Sequence, residues 1–114
     1  MSKAILDMAQ KLGQALADSA ERQALHDAWQ ALQEHKDVLD ALQAFQQQAG
    51  KMQQLEHAGR PIEVEDKRKF QTLHDKLVAS DIFKRYTKAE MEFSDLMRQV
   101  HVAIRKPVSD MEKT

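Results

Sequence analysis

The sequence contains no cysteine. A disulfide framework, a thiolate zinc site, a Cys-ligated iron–sulfur cluster and a Cys nucleophile are therefore excluded together. Only three glycines and two prolines occur in 114 residues, far fewer than architectures of strands and tight turns consume. Charge of one sign is lacking as well. Seventeen basic side chains stand against 18 acidic ones, for a net charge of −1, and such a balance argues against a general polyanion binder. No run approaches the ~18 apolar residues of a membrane span, and the N-terminus has no apolar signal core. What these absences leave is a cytoplasmic, all-α protein. Its length fits one domain, residues 1–114, able to bury roughly two-thirds of the surface its unfolded chain exposes.

The periodicity agrees. Ile5, Met8, Ala9, Leu12, Ala15 and Leu16 recur every three or four residues, which predicts a first helix over about 3–17. Asp18, Ser19 and Glu21 form a start signal for a second helix carrying Leu25, Ala28, Trp29 and Leu32. Asp37 before Val38 and Leu39 reads as the next N-cap, although helices 2 and 3 are also compatible with one bent rod. Helix 3, about 38–56, places Val38, Leu42, Phe45, Ala49 and Met52 on a coiled-coil seam. The run Gln46, Gln47, Gln48 reads as a solvated coat of good helix formers. Gly50 weakens this helix and is a candidate for close helix approach.

Ala58, Gly59, Arg60 and Pro61 predict an antiparallel reversal, because Gly suits the left-handed residue after a helix and Pro blocks continuation. Helix 4, about 64–79, carries Phe70, Leu73, Leu77 and Val78. Ser80 and Asp81 restart the count. Ile82, Tyr86, Ala89, Phe93, Leu96, Val100 and Ala103 then alternate until Pro107 is expected to stop helix 5, with Phe83, Met97 and Ile104 widening the stripe. At ~25 residues such a helix is ~37 Å long, whereas a compact domain of this size has a radius of gyration near ~13 Å. The expected architecture is an elongated antiparallel bundle of about five helices completed by homodimerisation. Ile82, Phe83, Tyr86, Phe93, Leu96, Met97 and Val100 are the interface candidates.

Chemistry is sparse. None of His26, His35, His57, His74 and His101 has a His four residues away or a Glu three residues upstream, so the Glu-x-x-His pattern of di-iron bundles is missing. Met97 and His101 have the spacing a haem or copper ligand pair uses, but a Met on a wide apolar stripe is ordinarily packing. No phosphate loop, nucleophile elbow or HExxH helix occurs, and Ser94 beside Asp95 lacks a motif that makes a nucleophile. Glu90 shares a helix face neither with Glu92, two residues on, nor with Asp95, five residues on. No cofactor, no metal and no catalytic residue are expected. Lys67, Arg68 and Lys69, with Lys84, Arg85 and Lys88, are the only basic clusters to weigh. Lys84 and Lys88 share a face that can track phosphates, while Glu63, Glu65, Asp66 and Asp81 dilute the potential. The charges before Ala58 are 5 basic and 8 acidic, and from there on 12 and 10, an asymmetry that suits helices attracting one another.

Three stretches carry a family likeness: Ile5-Leu6-Asp7-Met8-Ala9-Gln10-Lys11-Leu12-Gly13; Leu42-Gln43-Ala44-Phe45-Gln46 leading to Gly59-Arg60-Pro61; and Ser80 through Val100, ending in Pro107-Val108-Ser109-Asp110. In these the chain resembles the YlbF/YmcA/YheA family of small helical bacterial proteins, nearest its YheA-like branch. The resemblance implies a helical bundle that pairs with itself or with a paralogue. It also implies a non-enzymatic adaptor or regulatory role, in a family linked to competence, sporulation, biofilm formation and RNA processing. Some family complexes hold iron–sulfur clusters through Cys, a property with no ligands here. The alternative function is a nucleic-acid-associated accessory protein using the basic helix faces.

Overall fold

A computed structural model of the chain describes residues 2–112. Five helices account for the regular structure of those residues: α1 (Lys3–Ala17), α2 (Ala20–Glu34), α3 (Lys36–His57), α4 (Val64–Val78) and α5 (Asp81–Glu112). The chain is all-α, as its composition requires.

Local chemistry explains the boundaries. Ser19 serves two helix ends, because its hydroxyl donates to the Leu16 carbonyl at 2.7 Å and accepts from the Arg22 amide at 3.1 Å. It thereby satisfies one orphan group of α1 and one of α2. Between α2 and α3 the helix breaks at His35, so the two are separate helices. His35 Nδ1 lies 2.8 Å from the Ala31 carbonyl, and the His35 carbonyl accepts the Val38 and Leu39 amides at 3.0 Å each. The N-cap residue is thus His35, without a side-chain cap, and not Asp37. Asp37 lies in the first turn, where its charge meets the positive helix end.

The reversal after α3 is a Schellman motif. Gly59 has φ +69°, its amide reaches the Glu56 carbonyl at 3.1 Å, and the Arg60 amide reaches Leu55 at 2.8 Å, the paired closure expected around a left-handed residue. Ser80 then opens α5 by accepting the Phe83 amide at 3.2 Å. Pro107 does not stop that helix, which runs through it to Glu112. Every residue from 101 to 112 is exposed. The Ala103 carbonyl that Pro107 leaves without an amide partner lies on this exposed stretch, and the proline removes one hydrogen bond of α5 without ending the helix.

Two compact units divide the chain, one of residues up to Ala28 with those from Thr87 onward, the other Trp29–Tyr86. In the second, α3 and α4 pack as an antiparallel hairpin. Leu32, Ala41, Leu42 and Leu77 form its core, with Val38, Leu39, Phe45, Ile82, Phe83 and Tyr86 packed around them. Phe45 stacks on Phe70 at 4.7 Å and Trp29 meets Tyr86 at 5.6 Å. Gly50 has nothing within 4 Å of where a Cβ would stand, so it does not mark a close helix approach. In the first unit the buried apolar side chains among the described residues are two alanines, Ala28 and Ala89.

Candidate functional site

A unit whose core is two alanines has its larger apolar side chains elsewhere. Helix α1 contains no buried residue. Its polar Lys3, Asp7, Gln10 and Gln14 fall on one side, and Ile5, Leu6, Met8, Ala9, Leu12, Gly13 and Leu16 span about half the helix circumference on the other. Ile5, Leu6 and Met8 are 67%, 62% and 69% exposed. The stripe of α5 behaves similarly. Phe93, Leu96, Met97 and Val100 are half-buried, while Ile104, Val108 and Met111, which continue the stripe, are 55%, 64% and 78% exposed. The Arg22 guanidinium sits 5.9 Å from the Phe93 ring centroid, a cation–π approach that seats α2 beside α5.

The seven interface candidates thus divide. Ile82, Phe83 and Tyr86 pack on the core of their own chain, whereas Phe93, Leu96, Met97 and Val100 lie on the open stripe. Sequence periodicity alone cannot separate the two groups, because a stripe has the same pattern whichever chain covers it.

The chemical candidates are dispersed or already engaged. Asp95 accepts from Arg98 Nη2 and from Gln99 Nε2, both at 2.7 Å; the Arg98 guanidinium, then the Gln99 amide, hold its carboxyl below the ordinary value of 3.8. Met97 and His101 share a groove with Ser94, Arg98, Val102 and Arg105, and two guanidinium groups there disfavour a metal cation. No three His, Cys, Asp or Glu side chains gather as a metal site among the described residues. Without cysteine, a thiolate-held cluster has no ligands in this chain. Lys67, Arg68 and Lys69 are exposed and, being consecutive, point to different faces of α4. Lys84, Arg85 and Lys88 are exposed too, with Lys88 Nζ 3.9 Å from Glu92. No helix among the described residues is long and apolar enough to cross a membrane.

One constellation escaped the sequence reading. Gln48 is buried rather than solvated, and its Nε2 donates to the Asp66 carbonyl at 3.0 Å and to Asp66 Oδ1 at 3.3 Å. Lys51 Nζ reaches the same Oδ1 at 3.0 Å. Lys51, then Gln48, hold the Asp66 carboxyl below 3.8 against the opposing effect of desolvation, helped by the Glu63 backbone amide. Asp66 stands in the first turn of α4, so one carboxylate both caps α4 and ties it to α3. The available signal was position: Gln48 lies three residues after Phe45 and four before Met52, on the inward face.

Against known proteins the likeness covers nearly the whole chain. A UPF0342 protein of Lactobacillus helveticus is 26% identical over 107 residues, 94% of this chain and 92% of that one. Another from Staphylococcus epidermidis is 26% identical over 111 residues, 97% of each. Among solved structures, the X-ray crystal structure of Bacillus subtilis RicA in complex with RicF contains a chain that matches with a TM-score of 0.80 at 20% identity, over 97% of this chain and 98% of that one; at that identity the likeness shows the fold. The family model described as control of competence regulator ComK, YlbF/YmcA, matches residues 5–109, and the chain belongs to that family.

Proposed function

We propose that this protein is a non-enzymatic adaptor or regulator that works by offering apolar helix faces to other protein chains. The observation that carries the reading is the open stripe of α1 and α5. Ile5, Leu6, Met8, Ile104, Val108 and Met111 are each more than half exposed in a unit whose buried residues, among those described, are Ala28 and Ala89. Fully burying such a side chain is worth ~1.5–3 kcal/mol, so closing six of them supplies on the order of 10 kcal/mol, within the range of ~4–15 kcal/mol that association costs. Exposed apolar stripes of this kind mark interaction sites. The family's description as a control of the competence regulator ComK and the crystallised pairing of RicA with RicF support the same reading. No cofactor or catalytic group takes part in it.

A second reading, a nucleic-acid accessory protein, rests on the exposed cluster of Lys84, Arg85 and Lys88. It predicts RNA binding that falls steeply with salt and is lost in a Lys84→Glu, Lys88→Glu variant.

Affinity capture from the native host, with and without nuclease, separates the two. Defined protein partners should survive nuclease and drop at least ~10-fold when Ile5→Glu and Ile104→Glu are introduced with helicity unchanged, since a charge in an apolar contact costs several kcal/mol. Partners that vanish with nuclease, or that the charged variant retains, would reverse the assignment.

A further inference from the structure

Resting on the adaptor reading, we propose that the flank of α5 beside its apolar stripe, marked by Arg98, His101 and Arg105, is a docking groove for an acidic amphipathic helix of another protein. The groove measures about 460 Å³ and is walled by Ser94, Met97, Arg98, His101, Val102 and Arg105. These positions recur by three and four residues, so they form one strip along the helix, ~16 Å long at 1.5 Å per residue. Every wall belongs to α5. A small molecule there is left open to water, whereas ligand pockets bury most of their ligand's surface. The occupant must lie along the strip, as a helix does.

The charge of the groove sets the chemistry of that helix. Arg98 and Arg105 stand seven residues apart, nearly at one azimuth and ~10 Å along the axis, and no carboxylate lines the groove. Arg98 Nη2 donates to Asp95 Oδ1 at 2.7 Å, which orients the guanidinium and leaves other N–H donors on it. Arg105 is exposed and has no hydrogen-bond or ion-pair partner among the described residues. Two guanidinium forks at that spacing match two carboxylates seven residues apart on a second helix, each able to form the bidentate pair that Arg makes with a planar anion. Met97 is half-buried and Val102 is 52% exposed. They offer apolar contact to a side chain lying between the two carboxylates, and Met and Arg together are typical of protein interfaces.

A nucleic acid fits this groove less well. From Glu90 to Glu112 the helix carries five acidic and three basic side chains. A polyphosphate running past the groove meets that net negative field within a Debye length of ~8 Å, whereas a carboxylate pair confined to the groove meets the two guanidinium groups. Met97 and Val102 also have nothing to pack against on a phosphate backbone.

The probe is a fluorescent Ala/Gln-based helical peptide with two Glu seven residues apart and Leu at the third and fourth places after the first, titrated with the full chain and followed by anisotropy. Arg98→Glu with Arg105→Glu should weaken binding at least ~10-fold, because two charge-assisted pairs become like-charge contacts. A peptide with Lys in place of both Glu should then bind that variant in preference to the wild type. Lys84→Glu with Lys88→Glu changes the net charge equally and should leave the affinity for the acidic peptide within ~2-fold, since those charges lie beyond a Debye length from the groove's centre. All four substituted side chains are exposed, so helicity by circular dichroism should stay at the wild-type level. No binding at ~1 mM, equal losses in the two charge variants, or failure of the Lys peptide to prefer the Arg98→Glu, Arg105→Glu variant would overturn the proposal. So would a single-stranded RNA that binds the wild type more tightly than the acidic peptide and is lost in that variant. The capture experiment with Ile5→Glu and Ile104→Glu decides the adaptor reading separately.

Discussion

Within the run Gln46, Gln47, Gln48 three identical side chains have different surroundings. The first two are exposed, while Gln48 is 4% exposed and hydrogen-bonded to Asp66. Truncating Gln48 to Ala strands the buried polar groups it satisfies, so Gln48→Ala should cost ~1–3 kcal/mol in urea unfolding. The same change at Gln46 or Gln47 should stay within ~0.5 kcal/mol. Equal effects at all three positions would contradict the placement of Gln48. Asp66 adds a pH dependence whose sign is fixed. Lys51 and Gln48 lower its folded carboxyl below 3.8, so the stabilisation is present above the unfolded value and is lost as pH falls through the lowered folded one. Acid titration should therefore destabilise the wild type below about pH 4 more than an Asp66→Asn variant. A composition of helix formers tells that these residues are helical. It does not tell which glutamine faces inward, since that depends on where α4 lands.

At the scale of elements, one substitution should have opposite signs at two glycines. Gly59 holds φ +69° in the closure of α3, where a Cβ meets the steric cost of the left-handed region, and Gly59→Ala should destabilise by ~1–2 kcal/mol. Gly50 lies within α3 with open space around its missing Cβ, so Gly50→Ala should stabilise by ~0.5–1 kcal/mol. Chemical denaturation of the two variants checks both, and a shared sign would refute the distinction. Helix existence and most boundaries were legible, because α1, α4 and the Gly59 turn are specified by local spacing and turn chemistry. The failures have local causes too. Asp37 has the residue type of a cap, whereas the His35 carbonyl begins the α3 hydrogen bonds. Pro107 has the residue type of a stop, yet α5 runs through it to Glu112, because a proline can weaken or kink a helix without ending it.

For the whole molecule, the question is how much of the stability one chain holds by itself. The Trp29–Tyr86 unit has a core of large side chains, and the other unit has two buried alanines, a division that heptad patterns in α5 did not reveal because Ile82 and Val100 occupy equivalent positions on one stripe. Phe93 is the test residue. It is half-buried in one chain, with Arg22 over its ring, whereas full burial of a Phe makes truncation to Ala cost ~3–5 kcal/mol. If a second copy covers the other half, about half of that loss belongs to the monomer and the rest to association. The wild-type melting temperature should then rise with protein concentration, since a partner that binds only the folded chain stabilises it by mass action. Thermal melts near 1 µM should separate wild type from Phe93→Ala by the smaller, intrachain part, and melts near 100 µM by the full amount. A gap that stays constant while neither midpoint moves would mean that Phe93 is covered within one chain, and that the stripe from Phe93 to Val108 takes no second copy.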